Sequence, residues 1–174
     1  MLRPTLIAAT VTVALITGTT SAADVENFRA VFSGFSEVPA VLSEGHGTLD
    51  QRLDRSARTL TYTLTFSNLS AAVTQSHIHL GKVHVAGGVM VFFCTNLNNG
   101  PAGTPACPAS GGTVTGTITA ASVVGPTAQN VTAGDFDALE DALETNTAYA
   151  NIHTTAFPAG EIRGEVRRAD RDGD

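Results

Sequence analysis

Leu60, Tyr62, Leu64 and Phe66 alternate without a break with Thr59, Thr61, Thr63 and Thr65. Side chains two apart on a strand share a face, so this run presents one apolar and one hydroxyl face, the mark of an antiparallel sheet with its outer side wet. A helix would scatter the same residues around its circumference. The pattern recurs. Asn27–Gly34 sets Phe28, Ala30 and Phe32 against Arg29 and Val31. Gly45–Asp54, Val73–Leu80, Val89–Phe93, Gly112–Ala120, Thr147–Thr154 and Gly160–Arg167 are further strand-length segments bounded by turn residues. About eight short strands in one chain of 174 residues predict an all-β domain, an antiparallel sandwich or barrel. One short helix interrupts them late in the chain. Thr132 is placed to cap it, Asp135 favours its positive end, and Phe136, Leu139 and Leu143 fall on one face, so it is expected over 133–145.

The termini divide the chain. Arg3 precedes an apolar run from Leu6 to Ile16, and Ser21-Ala22-Ala23 offers the small residues that a signal peptidase accepts, so residues 1–23 read as a cleaved secretory signal. The run is broken by Thr10, Thr12 and Thr17 and is shorter than the roughly 20 apolar residues of a membrane span. The mature chain is then a single domain over 24–168 with a charged, disordered tail at 169–174, and it has no membrane span. It carries nine basic against sixteen acidic residues, a net charge of −7, which argues against nucleic acid and anionic membranes as partners. Localisation follows as extracytoplasmic, either secreted or periplasmic. In that oxidising compartment Cys94 and Cys107, which flank a loop rich in Asn, Gly and Pro, are expected to form a disulfide.

The chemistry-bearing residues lie in two segments. In Ser76-His77-Ile78-His79 the two imidazoles share a strand face, and Asn151-Ile152-His153-Thr154 supplies a third far along the chain. If the two strands are neighbours, His77, His79 and His153 converge, their ring nitrogens within about 3 to 4 Å of one another, as tetrahedral ligands require. An all-imidazole set suits copper or zinc. The competing expectation needs no cofactor: Glu37, Glu161 and Arg163 join the histidines in a polar network that fixes strand register. His84 is expected in a solvated loop. No G-x-S-x-G and no phosphate-binding glycine loop occurs, and the carboxylates of 135–144 fit a solvated helix face.

Four segments in order carry a resemblance to a known family: Ser33-Gly34-Phe35-Ser36-Glu37-Val38-Pro39, His77-Ile78-His79, Tyr149-Ala150-Asn151-Ile152-His153-Thr154, and Pro158-Ala159-Gly160-Glu161-Ile162-Arg163-Gly164. They resemble the signature blocks of the CHRD domain, first described in chordin and common in secreted bacterial proteins. The resemblance implies an extracellular β-sandwich module and little chemistry. An H-x-H strand with a later histidine also looks like the copper half of Cu/Zn superoxide dismutases, so the expected sandwich is of that type or immunoglobulin-like. Three functions compete. The preferred one is a secreted, non-enzymatic binding or structural module, its partner an unknown extracellular protein, polymer or metal ion. The second is a copper- or zinc-binding protein using the three histidines, and the third a copper redox enzyme of the superoxide-dismutating kind.

Overall fold

In the computed structural model, which describes residues 24–169, the alternating segments are strands. Strands β1 (Val25–Ser33), β2 (His46–Asp54) and β3 (Thr59–Ser67) form an antiparallel meander. Leu60, Tyr62, Leu64 and Phe66 of β3 are buried while Thr61, Thr63 and Thr65 are exposed, as the alternation demands. Opposite them on β2, Leu49 faces Leu64 and Leu53 faces Leu60, so cross-strand apolar pairs hold the register. The chain continues through β4 (Val73–Leu80), β5 (Gly88–Thr95), β6 (Gly112–Ile118), β7 (Ala148–Thr154), β8 (Ile162–Glu165) and β9 (Arg167–Arg168).

The hydrogen-bonded order is β5-β4-β7-β8-β1-β2-β3-β6, with β9 on β1. Its two ends approach each other. Val91 of β5 bridges Val123, just beyond β6, and the Tyr62 hydroxyl of β3 donates to the Phe93 carbonyl of β5 at 2.6 Å. The sheet therefore curls into a nearly closed antiparallel barrel, the expected fold class. Closure covers edges that would otherwise present unpaired backbone groups. One apolar cluster fills the interior, including Phe28, Phe32, Leu49, Leu60, Phe66 and Phe93.

The helix starts later than a cap at Thr132 predicts. Helix α1 spans Phe136–Glu144, and its cap is Asp135, whose carboxylate accepts the Ala138 N–H at 3.0 Å. Thr132 cannot serve because Gly134 lies in the left-handed region at φ +88°, which breaks any helix through it. Phe136, Leu139 and Leu143 still face the interior, and ion pairs Arg55–Glu144 and Arg58–Asp137 tie the helix to the β2–β3 turn.

The segment expected as one strand over 160–167 is two, β8 and β9, separated at the buried Val166, whose N–H donates to Ala148. Arg168 pairs with Phe28 across β9 and Ala169 donates to Asn27, so the pairing reaches the first position assigned to the tail. Residues 1–23, read as a signal peptide, and 170–174 lie outside the described residues. Cys94 and Cys107 are joined in a disulfide.

Candidate metal centre

Strands β4 and β7 are neighbours although β5, β6 and α1 separate them in sequence. Their register sets Gln75 opposite His153, His77 opposite Asn151 and His79 opposite Tyr149. On one face Ser76, Ile78, Ala150 and Ile152 turn inward, fully buried. The other face carries His77, His79, Tyr149, Asn151 and His153. These too are buried, with exposures of only 2% for His77, 7% for His79 and 6% for His153. One ring nitrogen from each histidine lies within 4.8 Å of the other two, and His77 Nδ1 is 3.2 Å from His153 Nε2. The full spread is wider than the expected 3 to 4 Å. Drawing all three onto one ion with bonds of about 2.1 Å requires ring movements of up to about 1 Å.

Hydrogen bonds decide which nitrogens are free. His79 Nδ1 lies 2.9 Å from the Gly87 carbonyl and His153 Nδ1 lies 2.9 Å from the Pro158 carbonyl. A carbonyl only accepts, so each Nδ1 carries the hydrogen and each neutral ring presents Nε2 as a lone pair. Both Nε2 atoms sit 3.0 Å from Asn151 Oδ1. His77 donates from Nδ1 to His153 Nε2, which leaves its own Nε2 buried without a partner.

Charge is excluded from the cluster. Burial pushes the His77 imidazolium pKa down to about 2, and the neighbouring His153 and His79 push the same way. Burial also brings His79 down to about 4 against the opposing Gly87 hydrogen bond, and it lowers His153 against the bond to Pro158. All three rings are thus neutral at physiological pH, the form in which imidazole binds a metal.

The remaining expected residues take separate positions. Glu37 is buried beside the cluster and accepts from Asn151 Nδ2 at 3.4 Å and from the Val38 N–H. Burial raises its pKa, with bonds from Val38 and Asn151 and the charge of Arg163 opposing. Arg163, 1% exposed, donates to the Lys82 and Val85 carbonyls and to Glu165, and its guanidinium lies 3.4 Å from the Tyr149 ring centre. Tyr149 in turn stacks on His79. Glu161 faces elsewhere. It accepts from the Ser43 hydroxyl, the Ser70 N–H and hydroxyl, and the Thr154 hydroxyl, so it pins two loops to β7. Burial alone would raise its pKa, but those four bonds outweigh it and the net shift is downward.

The expected single network of Glu37, Glu161 and Arg163 with the histidines is therefore distributed. Glu37 reaches the rings through Asn151, Arg163 through Tyr149, and Glu161 through no ring. His84 is exposed in the loop after β4, and His46 contacts Ser67 on β2 and β3. Sequence reading missed Tyr149 and Asn151, although their two-residue spacing before His153 was a signal that all three share a face. The Gly87 and Pro158 carbonyls left none, because backbone acceptors are not encoded by side-chain type.

A family model for the CHRD domain matches residues 28–166. The chain belongs to the CHRD domain family. Comparison with curated proteins and with solved structures found no match. The four segments that resemble CHRD signatures meet at this one site: Glu37 from the first, His77 and His79 from the second, Tyr149, Asn151 and His153 from the third, Pro158 and Arg163 from the fourth. A CHRD domain closed by a disulfide fits an extracellular setting. Among the described residues no helix is long and apolar enough to cross a membrane.

Proposed function

We propose that this CHRD domain is a non-enzymatic extracytoplasmic module that binds one copper or zinc ion through His77, His79 and His153. The observation that carries this is the tautomer arrangement. Carbonyls of Gly87 and Pro158 hold the Nδ1 hydrogens of two rings outward, so both Nε2 lone pairs turn onto the Asn151 oxygen, and the one proton directed among them is that of His77 Nδ1. A cation relieves that contact. Carbonyl acceptors behind ligating histidines are the usual means of orienting metal ligands. Burial of all three rings favours retention of an ion over redox turnover, which needs an open coordination position.

A metal-free network is the second reading, favoured by the His77–His153 hydrogen bond. In it the Asn151 amide turns its NH2 toward the two Nε2 atoms and the cluster serves strand register alone. Elemental analysis of protein isolated from its native compartment separates the two. About one equivalent of metal is expected in the parent chain and none in the His77→Ala/His79→Ala variant. Equal metal content in both removes the metal-binding reading.

A further inference from the structure

The charge balance around the cluster specifies which ion it takes, given the metal-binding reading above on which this rests. All three ligands are neutral imidazoles, and both cysteines are locked in the disulfide, so no thiolate is at hand. An ion placed there keeps its full charge inside a buried site. The cost of burying an ion rises as the square of its charge, so a divalent ion is penalised about fourfold more than a monovalent one. The nearby fixed charges offer little relief. Arg163 is paired with Glu165 at 2.9 Å, which leaves Glu37 as the one anion joined to the cluster, through Asn151. One anion balances one positive charge.

The donors beside the rings add no further negative charge. The edge of His77 packs on Phe92 with ring centres 4.4 Å apart, and Tyr149 covers His79. These aromatic walls leave the Asn151 oxygen as the further donor seen in reach, and it is neutral.

We infer that the three-histidine site is a site for monovalent copper, with Glu37 as its counter-charge. The test uses the intact oxidised protein without external reductant of the disulfide. Copper(I), held under nitrogen, is titrated against a chromogenic copper(I) chelator, and zinc(II) against a zinc indicator. Copper(I) is expected to bind about a hundredfold or more tightly than zinc(II), because one buried charge costs several kcal/mol less than two, and silver(I) to compete for the same single equivalent. Glu37→Gln should weaken copper(I) binding about tenfold, the effect of one partly screened charge. Zinc(II) binding as tightly as copper(I), or copper(I) affinity unchanged in Glu37→Gln, overturns this inference and leaves the metal site standing. No binding of either ion overturns both. If Glu37→Gln does not fold, the copper-to-zinc comparison in the parent chain decides alone.

Discussion

Tyr149 lies flat against His79, ring centres 4.7 Å apart and planes within 6°. Its hydroxyl accepts the Gly87 N–H at 3.1 Å, and the Gly87 carbonyl accepts from His79. One tyrosine thus sets both the face of the imidazole and the loop that fixes its tautomer. Tyr149→Phe keeps the stack and removes the hydroxyl. A stability loss of about 1 kcal/mol is expected in urea unfolding, with faster amide exchange confined to 81–87. Unchanged exchange there would show that the loop is held without the hydroxyl.

Arg163 holds the same loop through the Lys82 and Val85 carbonyls, from a buried position over Tyr149. Arg163→Leu leaves Glu165 only its longer contact with Arg167 and strands two carbonyls, so about 3 kcal/mol of stability should be lost. Arg163→Lys should recover only part of it, because an ammonium cannot span the acceptors that the planar fork reaches. Equal stability of Lys and Arg at this position would contradict that geometry.

Gly87 has no room for a side chain: a Cβ there would stand 1.7 Å from the Leu80 carbonyl oxygen, which is rigid backbone. Gly87→Ala should therefore displace the loop and cost about 3 kcal/mol or more. Metal affinity should fall with it, since the His79 acceptor moves. A variant that melts with the parent chain refutes this.

Gln51 sits on the buried face of β2 between Leu49 and Leu53, 4% exposed, and neither side-chain polar atom has a partner. A buried amide without hydrogen bonds is destabilising, and methionine has a similar shape without the penalty. Gln51→Met is expected to raise stability by about 1 kcal/mol, read as a higher melting temperature. A lower one would mean that the amide is satisfied.

Acid should unfold the metal-free protein through its histidines. Unfolded histidine protonates near pH 6.5, whereas the folded cluster holds His79 down to about 4 and His77 to about 2. Below pH ~6.5 the unfolded chain takes up protons that the folded chain refuses. The stability from these neutral rings is therefore complete above pH ~6.5 and declines as pH falls from there toward about 4, by about 1.4 kcal/mol per pH unit for each ring. His77→Gln should flatten that slope by one ring's share. Denaturant titrations at several pH values read it directly, and an unaltered slope would count against a neutral buried His77.

Most strands were legible because alternation is a local property. Thr59–Phe66 shows its two faces without knowledge of any neighbour, and the same parity puts His77 and His79 together. The helix start was not legible, because Thr132 and Asp135 are both capping residue types and only the backbone, where Gly134 turns left-handed, decides between them. Glu161 looked like part of the histidine network because two-residue spacing would put it on one strand face with Arg163, yet it precedes β8 and its bonds run to Ser43, Ser70 and Thr154.

By itself the sequence determined that this is an antiparallel β protein with an H-x-H pair on one strand face and a disulfide-bridged loop. Tertiary structure alone decided that β7 crosses back to lie beside β4, bringing His153 and Asn151 to that pair, and that two backbone carbonyls orient the rings. Side-chain parity propagates along a single strand and can be read residue by residue. The choice of neighbouring strand follows from closing the whole barrel around its apolar interior, and no local stretch of sequence contains that information.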